Sequence, residues 1–192
     1  MVHSFLAART WAQFAAQIAT IAALIAAVAS MAPTTPAAAE VSVSDTVAQR
    51  GEQALAALPF QPAAIGFTIS FEVPSAGHLG LTFPDRNHIE IYARPNMTDD
   101  ALISVVAHEL GHAFDLATST VESRNDFRVA RSWPADTGWF TGPSQNDLGT
   151  PSGDYAECFA TWAVGSTSQS TKGICDTEAT ALIASQVAST LG

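Results

Sequence analysis

Apolar residues follow three different rhythms along the chain. From about Phe14 to Ala32 they run almost unbroken, and beyond them the pattern becomes periodic. Ser44–Leu58 carries Val47, Ala54, Leu55 and Leu58 at helical spacing, with Ser44 or Asp45 as cap and Pro59 as stop. Phe67–Val73 alternates Phe67, Ile69, Phe71 and Val73 against Thr68, Ser70 and Glu72, the pattern of a half-buried strand. Gly80–Phe83 is a second short β-type run, and His88–Tyr92 alternates His88, Glu90 and Tyr92 against Ile89 and Ile91. Pro84-Asp85-Arg86-Asn87 between them reads as a hairpin turn, so a small antiparallel or mixed sheet is expected.

The strongest helical pattern is Asp99–Leu116, with Thr98 as N-cap and Asp99 and Asp100 in the first turn, where the helix dipole favours negative charge. Leu102, Val105, Val106, Leu110, Ala113 and Phe114 form its apolar stripe. From Ala117 to Gly153 the pattern dissolves into Ser, Thr, Asn, Asp, Gly and Pro, with Trp133, Trp139 and Phe140 scattered among them. Helices return over about Gly153–Val164 and Thr177–Leu191. The expected class is α+β: a small sheet on one long helix, followed by a helical C-terminal half.

The length of 192 residues suits one domain, or two at a stretch, and 47% hydrophobic content excludes a disordered chain. Eight Lys+Arg against 18 Asp+Glu give a formal charge of −10, which argues against a nucleic-acid partner. Lys172 is the single lysine, so there is no polybasic lipid-binding patch. Arg9, the apolar run, Pro33 and Pro36, then Ala37-Ala38-Ala39 follow the order of a secretory signal. Residues 1–39 are therefore expected to be a cleaved signal peptide and 40–192 the domain. The other possibility is an uncleaved N-terminal anchor, made marginal by Gln17 and Thr20, and only then would the chain meet a membrane. Either way the domain lies outside the cytoplasm, secreted or in the cell envelope, and a monomer is expected. Export makes a disulfide between Cys158 and Cys175 the expectation, worth about 3 kcal/mol in the chain-entropy view.

His108-Glu109-Leu110-Gly111-His112 is an H-E-x-x-H sequence inside the long amphipathic helix. Residues i and i+4 share a helix face, so both imidazoles can reach one zinc ion, with Glu109 beside them to take a proton from water. A third ligand must come from elsewhere. Asp115 lies on the same face, but its short carboxylate is better suited to a hydrogen bond that fixes the His112 tautomer. Glu157 has the longer arm and a helix of its own, and it is the preferred ligand.

With Glu157 in place, H-E-x-x-H and a downstream glutamate resemble the gluzincin zinc metallopeptidases. HELGHAFD followed by DYAECFATWA is most similar to lethal-factor-type catalytic domains and their small secreted bacterial relatives. The resemblance spans about His88 to Val164. It implies a zincin-like fold, one zinc per chain held by His108, His112 and Glu157, and Glu109 as general base. It also implies a peptide or protein substrate that adds as a further strand to His88–Tyr92, taken as the edge strand above the active-site helix. Thr161 stands where many gluzincins carry an acid, and no tyrosine precedes the ligand helix to stabilise the oxyanion. Tyr155 is expected to point away, leaving the metal, Tyr92, or one of Arg124, Arg128 and Arg131 to stabilise it.

The main expectation is an exported zinc endopeptidase that hydrolyses peptide bonds. The alternative is a catalytically weak or inactive zincin-fold binding or structural protein of the cell envelope. His78 and His88 read as strand or loop residues, Trp133 and Trp139 as core, and the three arginines as a helix face paired with acids.

Overall fold

The computed structural model describes residues 43–74, 77–140 and 147–192. The expected signal or anchor segment lies outside these residues. Helix α1 covers Val43–Ala56, and a 3-10 turn at Pro62–Ile65 leads into strand β1, Thr68–Glu72. Strands β2, Gly80–Phe83, and β3, His88–Tyr92, follow. Helices α2 (Asp99–Thr118), α3 (Val121–Ala130), α4 (Pro151–Val164) and α5 (Thr177–Leu191) complete the order, with a 3-10 turn at Asp147–Gly149 before α4. Among the described residues no helix is long and apolar enough to cross a membrane.

The sheet is mixed, with strand order β1-β3-β2. β1 runs parallel to β3, pairing Thr68 with His88 and Glu72 with Tyr92; β2 runs antiparallel, pairing Gly80 with Ile91 and Phe83 with His88. The hairpin turn falls at the expected place, and Asn87 takes the left-handed conformation that Asn tolerates well. Alternation sets the faces: Ile89 and Ile91 are fully buried, and Phe67 is buried just ahead of β1. Val73, grouped with the inward set by its spacing, lies past the end of β1 and is exposed.

One expectation is corrected here. His88–Tyr92 is the central strand, hydrogen-bonded on both sides, so it offers no free edge to a peptide. Its neighbour β2 is an edge strand, and β2 also packs on α2, where Thr82 Oγ1 lies 2.8 Å from Glu109 Oε2 and 3.1 Å from the Glu109 carbonyl. The sequence places the strands correctly but not their order, because β1 returns to pair with β3 rather than with its neighbour in the chain.

Thr98 caps α2 by accepting from the Ala101 N–H at 3.2 Å. Arg50 of α1 pairs with Asp99 at 2.9 Å and donates to the Met97 carbonyl, fixing the start of α2 against α1. The stripe of α2 is buried as expected at Leu102, Val106, Leu110, Ala113 and Phe114. α4 begins two residues before the expected start because Thr150 accepts from the Gly153 N–H and Pro151 occupies the first turn.

α2 and α4 pack closely at Gly111. A Cβ there would stand 2.9 Å from Ala156 Cα and from Phe159 Cβ, so only glycine permits this approach. Phe114 and Phe159 stack nearby with Phe60, ring centroids 5.6–6.1 Å apart. The expected disulfide joins Cys158, inside α4, to Cys175, next to the Asp176 cap of α5.

α3 is expected only as a helix face carrying Arg124, Arg128 and Arg131, without bounds; the structure gives it as Val121–Ala130, with Arg131 at its C-cap. Phe127 is its one buried residue, while Val121 and Val129 face outward, so apolar periodicity cannot reveal it. Its capping box, Thr120 with Ser123, is the local signal that marks it. Two of the three arginines pair with acids as expected, Arg124 with Asp115 at 2.9 Å and Arg131 with Asp154 through two bonds of 2.9 and 3.0 Å, whereas Arg128 bonds to Asn125 and to the Thr137 carbonyl. Trp139 is buried core; Trp133 is half-buried and donates to Asp154.

Replacing Gly111 with alanine forces α4 away from α2. Urea unfolding of the Gly111→Ala chain is expected to show a loss of about 1–3 kcal/mol, the usual cost of overpacking. An unchanged midpoint would mean the two helices are not held at this distance.

Candidate metal centre

The long α2 helix carries His108 and His112 one turn apart, and their Nε2 atoms lie 3.1 Å from each other. Both face Oδ2 of Asp147, at 3.2 Å from His108 and 2.7 Å from His112. These three side chains form a donor group that could hold a metal ion. A triangle with those edges has a circumradius of about 1.7 Å, shorter than a zinc–ligand bond of about 2.0–2.1 Å. A point on either side of its plane therefore lies at bonding distance from all three atoms. Two imidazoles and a carboxylate are also donors that zinc accepts, so the residues present fit the ion.

Glu157 arrives from α4. Its Oε1 lies 2.8 Å from Nδ1 of His108, and its Oε2 accepts from the Gln169 backbone N–H. Close packing at Gly111 carries Ala156 against α2 and so brings the next residue, Glu157, to the histidine. Thr161 donates back to the Glu157 carbonyl at 3.0 Å, one turn along α4.

Glu109 is buried between α2 and β2. A Cβ at position 80 would fall 2.5 Å from Glu109 Cγ, so Gly80 makes room for this side chain beneath the strand. Asp115 does not face the histidines. Fully buried, it accepts from Arg124 at 2.9 and 3.2 Å and from Trp139 Nε1 at 2.8 Å. It thereby ties α3 and the Trp139 segment to α2.

Asp147 is not among the candidates that the sequence offers. It lies in the stretch without apolar periodicity, and no spacing rule links it to the H-E-x-x-H helix. The signal that points to it is its position as the sole acid between Asp136 and Asp154, just ahead of the helix that bears Glu157.

Burial opposes charge on the His108 imidazole, but hydrogen bonds to Asp147 and Glu157, with the nearby Glu109 charge, outweigh it and push the group up to about 10. Asp147 is likewise disfavoured as an anion by burial, yet its bonds to His108 and His112 hold it well below the usual carboxylate range.

The side chains considered for an oxyanion are engaged elsewhere. Tyr92 donates to Glu90 at 2.6 Å, and Tyr155 is buried and donates to Gln186 at 2.9 Å. Arg124 and Arg131 hold Asp115 and Asp154, while Arg128 bonds to Asn125 and to the Thr137 carbonyl.

The hydrogen bond to Glu90, with burial, pushes Tyr92 up to about 12, and burial pushes Tyr155 still higher. Both tyrosines exceed the ordinary value of about 10 in the unfolded chain, so their contribution to stability is full below about pH 10; that of Tyr92 is lost as pH rises through about 12, and that of Tyr155 at still higher pH. Ultraviolet titration is expected to show no phenolate in the folded chain near pH 10, with the urea midpoint falling above that pH; ionisation of either tyrosine near 10 would refute these contacts. No family model matches the chain, and no curated protein and no solved structure matches it either.

Proposed function

We propose that this chain is an exported, zincin-like zinc peptidase, with His108 and His112 as metal ligands and Glu109 as general base. The observation that carries the reading is the convergence of the two imidazole Nε2 atoms with a carboxylate oxygen on an H-E-x-x-H helix. The ion would supply Lewis acidity, activating water and polarising a substrate carbonyl. Glu109 is the adjacent carboxylate, held by Thr82, and its role is to accept the proton from water and return it to the leaving amine. The antiparallel edge strand β2, directly over Glu109, replaces β3 as the strand to which an extended peptide adds. The Cys158–Cys175 disulfide supports an oxidising compartment outside the cytoplasm.

A second reading has its own observation. Tyr92, Tyr155 and the three arginines are committed to partners within the chain, leaving none of these candidates for an oxyanion. That favours a zincin-fold protein that binds metal and turns over slowly or not at all, serving as a binding or structural component of the envelope.

Digestion of a broad peptide library separates the two. For the peptidase, cleavage stops on chelation and returns with zinc, and Glu109→Gln keeps its zinc while losing about 10²–10⁴-fold in turnover. A zinc-loaded chain that cleaves nothing selects the second reading.

A further inference from the structure

We propose that Asp147 is the third protein ligand of the metal site and that Glu157 is a positioning residue for His108. This rests on the zinc reading above and departs from the gluzincin ligand set that the sequence suggests. The two carboxylates meet different nitrogens. Asp147 Oδ2 faces the Nε2 atoms of both histidines, whereas Glu157 Oε1 faces Nδ1 of His108. A histidine that ligates through Nε2 carries its proton on Nδ1, and a carboxylate that accepts that proton fixes the tautomer and the ring orientation. Glu157 has the position to do this, and its other oxygen is already taken by the Gln169 N–H.

Asp147 is also built into the fold as firmly as a ligand needs to be. Its carbonyl accepts from both the N–H and the hydroxyl of Thr150, at 2.8 and 2.7 Å, and the same hydroxyl caps α4. Gly153 is essential to the arrangement, since a Cβ there would stand 2.1 Å from the Asp147 carbonyl oxygen. The next carbonyl, of Leu148, accepts from Thr171 N–H at 2.9 Å. The N-terminus of α4 thus fixes Asp147 while the middle of the same helix fixes Glu157. The remaining acids near the motif are used otherwise, Glu109 at Thr82 and Asp115 at Arg124 and Trp139.

The test is zinc affinity of the full chain, by competition with a chromophoric chelator, for wild type, Asp147→Ala and Glu157→Gln. Asp147→Ala is expected to weaken zinc by well over about 100-fold, and Glu157→Gln by about 10–100-fold, the usual effect of losing a residue that orients a ligand. The reverse order, with Glu157→Gln the more damaging, overturns the assignment while leaving the zinc reading intact. Wild type that binds no zinc overturns both. Should Asp147→Ala fail to fold, nitrogen-resolved NMR of the histidine rings in the zinc-loaded wild type and Glu157→Gln chains decides. A protonated His108 Nδ1 whose resonance moves in Glu157→Gln supports the proposal, and one indifferent to that change refutes it.

Discussion

The structure turns on the close contact between α2 and α4 at Gly111. Gly111 lies within the H-E-x-x-H segment itself, immediately before His112, so the absence of a side chain there does two things at once. It lets the backbone of α4 at Ala156 press against α2, and it leaves the flanking histidines free to turn toward the incoming helix. The two carboxylates that meet the histidines are a consequence of that approach. Glu157 follows Ala156 and meets His108; Asp147, fixed to the cap of α4, is delivered to both rings.

Such proximity would be costly without compensation, because it gathers three acids and two histidines into a partly buried volume. The same helices carry the means to offset it. Phe60, Phe114 and Phe159 close an apolar layer beside the contact, and the disulfide holds α4 to the beginning of α5. The two acids that are fully buried elsewhere, Asp115 and Asp154, each receive an arginine and an indole N–H. A buried carboxylate paired in this way is tolerated, and stripping away its partner is what destabilises.

What depends on local pattern is legible in the sequence. Alternation around Ile89 and Ile91, the Thr98 cap, the hairpin at Pro84–Asn87 and the stripe of α2 are each decided within a few residues, and each is found where expected. The pairing of His108 with His112 belongs to the same class, since helical geometry alone brings them together. What stays hidden depends on distant contacts. The central place of β3 follows from β1 folding back beside it. α3 has one buried side chain, too few to leave an apolar period, so the spacing of its arginines suggests a helix but not its bounds. Asp147 lies 35 residues from His112, and the two are joined by helix packing, about which residue spacing is silent. Asp115 shows the limit from the other side: its place on the helix is legible, but its partners Arg124 and Trp139 are not.

The placement of the arginines has one more consequence. The chain has 8 Lys and Arg in all, and Arg50, Arg124, Arg128 and Arg131 all reach inward to bond backbone carbonyls or buried acids. Half of the basic residues are therefore committed to internal architecture, and with 18 Asp and Glu against 8 Lys and Arg the chain carries a net negative field. Long-range encounter is governed by that field: a polycation is drawn toward the surface from a distance, a polyanion is turned away, and both effects fade as ionic strength shortens the screening length.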